Sequence, residues 1–243
     1  MGFLLIFLFC ISAIGGHTLL TVNEIKDTGH LEFYKGFNKM SLDYQPVSLS
    51  RLIGVSELIV SGNVEVVTDS LFVFNVEKTL FGIVTEKTIK VQQYIPVAFN
   101  ESRQNPYAAG QGFILFLKEH NVDEIQYQII GLGGEGEIPV EDGYVYFPGL
   151  LIEGLQGGMY GVHGKQRYLT RFEFKDFTDA VKRYHNCFSW SLTEETRNNK
   201  KRMTWNPVKE CTDESLQEYQ EKSWIHEYLV KETNNKMSEV DIK

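Results

Sequence analysis

The chain has 243 residues, 42% of them hydrophobic, with 32 acidic against 24 basic side chains and a net charge of −8. That composition supports one or two ordinary globular domains. It argues against binding to nucleic acid or to anionic membrane surfaces, which repel an acidic chain.

The chain begins with an almost unbroken apolar run, Phe3–Ile14, and its first charged side chain is Glu24. The run is shorter than the roughly 20 residues that a bilayer-spanning helix needs. Ala13-Ile14-Gly15 sets small residues where a signal peptidase would read them. Met1 to about Gly15 therefore reads as a secretory signal peptide. The expected product is secreted or extracytoplasmic (periplasm or cell surface), with no membrane span once the signal is removed. Cys10 would leave with the signal, so Cys187 and Cys211 remain as a candidate disulfide. Such a bridge would stabilise the fold by about 3 kcal/mol in the chain-entropy model. Two unrelated reduced thiols are the alternative.

Residues 16–46 form a lead-in segment whose short apolar groups are broken by Gly29 and Gly36. Ser48–Ser56 predicts a short helix, capped by Ser48, with Leu49, Leu52 and Ile53 on one face. The clearest pattern follows. Leu58, Val60, Val64 and Val66 alternate with polar residues, as do Phe72, Phe74 and Val76, then Ile89 and Val91. Gly62 inside the first of these strands predicts a bulge. Tight turns between them predict an antiparallel meander. Pro96–Gly110 reads as a polar loop holding the glycosylation sequon Asn100-Glu101-Ser102. The continuous apolar run Phe113–Leu117 predicts a strand buried on both faces. Tyr127–Ile130, Ile138–Val140 and Tyr144–Phe147 are further strands, with a hairpin turn at Asp142-Gly143.

From Gly149 to Gly164 the glycine content predicts loop, and Leu169–Phe174 a strand. Helical spacing of Phe174, Phe177, Val181, Tyr184 and Phe188 predicts a helix over Asp176–Cys187. Thr193–Arg202 reads as a charged connector, Asp213–Lys231 as a second helix, and Thr233–Lys243 as a disordered tail. The expected domains are residues 47–188, a β-barrel with its packed helix, and 189–232, a C-terminal helical extension, before a tail at 233–243.

The spans Leu58–Val64 and Phe74–Gly82, then Gly110–Leu117 and Gly136–Gly143, resemble a domain of uncharacterised secreted bacterial proteins. They are also similar to the OB-like barrel of netrin-like and metalloproteinase-inhibitor-like modules. The resemblance covers about two fifths of the chain and implies a fold class. That class is α+β: an antiparallel OB-like β-barrel of about six strands, with a short helix before it and two helices after it. The inhibitor-like modules use a free amino-terminal cysteine and several disulfides, and this chain has neither.

Gly131–Gly136 matches the dinucleotide pattern G-x-G-x-x-G, but Glu137-Ile138-Pro139-Val140 after it reads as a strand, where nucleotide binding needs a helix. The six histidines form no pair at metal-ligand spacing. No Gly-x-Ser-x-Gly elbow is present. Aromatics at Phe72 and Phe74 neighbour Asn75 and Glu77, not the basic residues that a single-strand-binding barrel interleaves. No catalytic, cofactor-binding or metal-ligating residue is assigned, and no cofactor is expected. Carboxylates do gather at Glu135, Glu137, Glu141 and Asp142. The expected function is a non-enzymatic exported protein that binds a protein or glycan partner or forms part of the cell envelope. Its alternatives are an exported hydrolase, with glycans as a candidate substrate, using those loop carboxylates, and an inhibitor-like module acting on a secreted protease.

Overall fold

The computed structural model describes residues 47–93, 107–131, 135–147, 158–163, 165–197 and 200–241. All of them fall in one compact unit. The predicted signal peptide, Cys10, the lead-in segment and the Asn100 sequon lie outside the described residues.

Helix α1 (Leu49–Val55) starts where Ser48 accepts a hydrogen bond from the Arg51 N–H. Its apolar stripe, Leu49, Leu52 and Ile53, is buried as the spacing predicts. Strands β1 (Leu58–Val67), β2 (Leu71–Phe81) and β3 (Thr88–Gln92) form the antiparallel meander. The β1–β2 register slips at Ser61/Gly62, the bulge that Gly62 announced. A Cβ at Gly62 would lie 1.9 Å from the Asn75 carbonyl oxygen, so only glycine lets the strands approach there.

Strands β4 (Gly112–Val122) and β5 (Ile125–Ile129) complete a closed five-strand barrel, because β4 pairs with β1 and β5 pairs with β3. Alternating directions cannot run consistently around a ring of odd number. One seam must be parallel, and it is β3–β5. The barrel is thus mixed where an all-antiparallel one was expected. Leu58, Val60, Phe72, Phe74, Ile89, Val91, Phe113, Leu115 and Leu117 fill its interior. The other faces of β1 and β4, through Ile59, Ile114 and Phe116, pack against the helical layer. This two-sided burial explains the continuous apolar run in β4.

The sheet continues past the barrel through β6 (Glu137–Glu141), β7 (Tyr144–Phe147) and β10 (Thr170–Glu173). A small hairpin pairs β8 (Tyr160–Val162), inside the stretch expected to be loop, with β9 (Lys165–Tyr168) just after it. Helix α2 (Phe174–Tyr184) begins at the first apolar residue of its helical spacing, ahead of the predicted bound Asp176, tethered by a bond from the Phe174 N–H to the Gly143 carbonyl. Asp176 in its first turn and Lys182 and Arg183 in its last suit the helix dipole.

The largest departure comes next. The predicted connector at Thr193–Arg202 is the distal half of a hairpin, β11 (Phe188–Arg197) with β12 (Lys200–Lys209). Its base buries Phe188 and Trp190 in the helical layer, while Leu192 and Met203 are exposed further out. The predicted second helix is two, α3 (Asp213–Gln220) and α4 (Trp224–Asp241), broken around Ser223. Helix α4 also replaces the expected disordered tail. Thr233 is completely buried and its hydroxyl donates to the Leu229 carbonyl. It in turn accepts from the Tyr184 hydroxyl, which accepts from the Trp190 indole N–H. This chain of donors ties β11, α2 and α4 together. It also brings residues past 188 into the core shared with α1 and α2.

Cys187 and Cys211 sit at the open end of the β11–β12 hairpin, and both are free thiols. The expected bridge is therefore not formed in this structure. Burial, reinforced by a hydrogen bond to Cys211, pushes the Cys187 thiol up to about 12. A thiol so reluctant to ionise is a slow partner in disulfide exchange.

His185 stacks on Phe81 with ring centroids 3.6 Å apart. Burial holds its pKa down to about 4, against an opposing hydrogen bond to Ile53. The folded ring stays neutral while the unfolded one takes up a proton below about 6.5, so stability should rise with pH across that window. From above pH 6.5 down towards pH 4, this group is expected to remove up to about 3 kcal/mol. Melting curves over that range should show the slope in the native chain and a shallower one in His185→Phe. An unchanged slope would mean that the ring is protonated in place.

Candidate functional site

Strand β4 divides its partners. Its C-terminal half pairs with β5 inside the barrel, and Gly112–Leu115 pair with β6. The sheet leaves the barrel at that point, and each strand beyond it has two unlike faces. Ile138 on β6, Val145 and Phe147 on β7, and Phe172 on β10 point into the helical layer. Alternation places Glu137 and Glu141, Tyr144 and Tyr146, and Arg171 and Glu173 on the opposite face. The register sets Arg171 opposite Tyr146 and Tyr144 opposite both Glu141 and Glu173.

The β8–β9 hairpin lies over this face. The Tyr160 ring meets Tyr146 edge-on at 5.9 Å, and Tyr168 meets it at 6.1 Å. The Arg171 guanidinium stands 4.2 Å from the centroid of Tyr144 and 4.7 Å from that of Tyr160. At the hairpin's turn, His163 adopts a left-handed backbone with φ 50°. Its Nε2–H donates to the Gly112 carbonyl at 3.1 Å, which leaves Nδ1 facing Glu141 Oε1 at 4.0 Å. The His163 backbone N–H also donates to Glu141. Nearer the barrel, the buried Tyr107 hydroxyl donates to Glu137, and its ring stacks on Phe72 with centroids 4.4 Å apart.

The predicted acidic cluster is thus dispersed. Glu137 and Glu141 reach the tyrosine-lined face but lie four residues apart on one strand, roughly 13 Å along its rise. Paired glycosidase carboxylates stand about 5 to 9.5 Å apart. Each is also held by its own partner, Tyr107 or His163. Glu135 folds back over Gly131 in the turn before β6. Asp142 occupies the β6–β7 turn with φ 51°, followed by Gly143 at φ 79°, the left-handed pair that a two-residue hairpin requires.

Tyr144, Tyr146, Tyr160, Tyr168 and Arg171 were not singled out from the sequence. The available signal was the alternation of Tyr144 and Tyr146 with Val145 and Phe147.

A Ser–His–Asp set does come together elsewhere. Ser223 Oγ lies 2.8 Å from His226 Nδ1, and His226 Nε2 lies 3.3 Å from Asp179 Oδ2. The imidazole is reversed relative to a hydrolytic triad, in which serine meets Nε2 and the carboxylate Nδ1. The Nε2–Asp179 approach is within ion-pair range but too poorly aligned for a hydrogen bond. Burial keeps His226 below its usual range, with Asp179 opposing. The Ser223 contact belongs to the first turn of α4, so the set is a clamp between α4 and α2.

Among the described residues, no three His, Cys, Asp or Glu side chains gather as a metal ion would require. Nor, among them, is any helix long and apolar enough to cross a membrane. No family model, curated protein or solved structure matches the chain.

Proposed function

We propose that this is an exported, non-enzymatic binding protein whose partner-binding surface is the tyrosine-lined face under the β8–β9 hairpin. The observation that carries the proposal is the convergence of Tyr144, Tyr160 and Arg171 over the buried ring of Tyr146 on one side of the sheet. Rigid aromatic rings and arginine are the side chains that dominate recognition surfaces, because they offer large contact area at little entropic cost. The carboxylates beside them are engaged by a phenol and an imidazole edge, which supports a binding role over hydrolysis.

The barrel is, on this reading, of OB type. Support comes from β1 pairing with both β2 and β4, and from the β3–β5 seam. Export is supported by the apolar run Phe3–Ile14.

The test uses the mature chain recovered from culture medium, with mass and amino-terminal sequence measured first. The expected start lies just past Gly15. Affinity electrophoresis in soluble polysaccharides and envelope extract should then show retardation. The retardation should disappear in Tyr144→Ala/Tyr160→Ala and persist in Glu135→Gln/Glu137→Gln/Glu141→Gln/Asp142→Asn. Release of reducing sugar by the native chain, lost in that quadruple variant while it stays folded, would replace this reading with the hydrolase.

A further inference from the structure

We propose that the β11–β12 ribbon is a peripheral membrane anchor that lies with its apolar face on a bilayer containing anionic lipid. This surface is separate from the tyrosine-lined face and does not depend on the role proposed for that face. Residues paired across two strands share a face, and successive pairs alternate. The register therefore places Leu192 with Trp205, and Glu194 with Met203, in line with Trp190 and Pro207 at the base. Ser191 with Asn206, and Thr193 with Thr204, take the other face. Trp190 and Pro207 are buried, but the apolar row they begin runs on into solvent. Leu192 is 46% exposed and Met203 59%, and Trp205 is half-buried.

The ribbon's charge is opposite to that of the rest of the chain. Phe188–Lys209 holds five basic and two acidic side chains; from totals of 24 and 32, that leaves 19 and 30 elsewhere. Of the two acids, Glu194 is already bonded to Lys201 at 2.8 Å. The register sets Arg197, Lys200, Lys201 and Arg202 in the three outermost pairs, together with Glu195 and Thr196. Arg197 lies seven residues beyond the buried Trp190, roughly 20 Å along a strand. Exposed charges further apart than the Debye length, about 10 Å at 0.1 M salt, are largely screened from one another. The net charge of −8 thus argues against an anionic surface for the molecule at large, but not for the end of this ribbon.

Leu192, Met203 and Trp205 distinguish the partner. A soluble polyanion pairs with the cations and gains nothing from an apolar row. A second copy, or another protein, needs about 800 Å² from each side for a stable interface, and three partly exposed side chains fall far short of that. A bilayer needs neither large area nor matching shape. Apolar side chains enter it one by one, tryptophan suits the headgroup boundary, and each Lys or Arg close to anionic lipid strengthens binding about fivefold.

Bromine on a lipid acyl chain quenches a nearby indole, which gives the test. The full chain carrying Trp224→Phe retains Trp205 on the ribbon and Trp190, which is nearly buried. Vesicles of equal parts brominated phosphatidylcholine and phosphatidylglycerol should quench Trp205. Brominated phosphatidylcholine alone should need at least about tenfold more lipid for the same quenching. Leu192→Ser/Met203→Ser and Lys200→Gln/Arg202→Gln should each raise the lipid needed by about tenfold, with circular dichroism unchanged. Absence of quenching by the anionic vesicles, or quenching that either double variant leaves as it was, would overturn the anchor. Binding to dextran sulfate that depends on Lys200 and Arg202 alone, without quenching by lipid, would replace the bilayer with a soluble polyanion. A dimer in sedimentation velocity that Leu192→Ser/Met203→Ser dissociates, again without quenching, would give the face to a second copy.

Discussion

Trp190→Ala is expected to destabilise the chain by about 3–5 kcal/mol, the range for losing a large aromatic from a core. The indole is nearly buried and donates to the Tyr184 hydroxyl at 3.0 Å. It also lies flush against α1. A Cβ at Gly54 would fall 1.8 Å from its Cδ1 and 2.2 Å from its Nε1. Gly54→Ala alone should therefore cost about 3 kcal/mol, since neither the helix backbone nor the wedged indole can yield cheaply. The two substitutions should not add. With the indole gone, the new methyl group enters the space it vacated, and the double variant should recover about 1–3 kcal/mol of the summed loss. Urea unfolding of the four proteins measures this. Additive losses would show that the indole and the helix do not meet.

The second large effect is expected from ending the chain at Glu232. Composition makes 233–243 look dispensable, but Thr233 is completely buried and Met237 packs against the core. Truncation removes the acceptor of the Tyr184 hydroxyl, a loss of about 1–3 kcal/mol for a buried donor left unmatched. It also removes the apolar burial of Met237, about 1.5–3 kcal/mol if that were complete. Together a loss of about 3–4 kcal/mol is expected in chemical denaturation. Thr233→Val, which deletes only the hydroxyl, should show the hydrogen-bond share alone. A truncated chain as stable as the intact one would mean that α4 stops short of Thr233 in solution.

The barrel was legible because its strands carry their burial in their spelling. β1 to β3 alternate, β4 is apolar throughout, and Gly62 and Asp142-Gly143 mark a bulge and a turn that side chains of other shapes would not permit. The distal β11–β12 hairpin was hidden because successive residues Ser191–Glu194 are all exposed, and an exposed strand is composed like a loop. The break between α3 and α4 was hidden for the opposite reason. Apolar residues on both sides of Ser223 keep helical spacing, and only the tertiary position of His226 shows the interruption. The candidate site was partly visible. Glu137 and Glu141 stood out as acidic residues, but what surrounds them is set by pairing between strands distant in sequence. Arg171 meets Tyr144 and Tyr160 only because β10 pairs with β7 and β8–β9 folds over both.

Closing the barrel leaves its own strands no open edge, so among the described residues strand addition between copies is left to β10, the β8–β9 hairpin and the longer β11–β12 ribbon. Its β12 edge carries Lys201 and Lys209 together with Pro207, which has no N–H to offer. Cationic side chains and a missing donor are what such an edge needs to refuse a passing strand. These β12 residues oppose polymerisation through the ribbon.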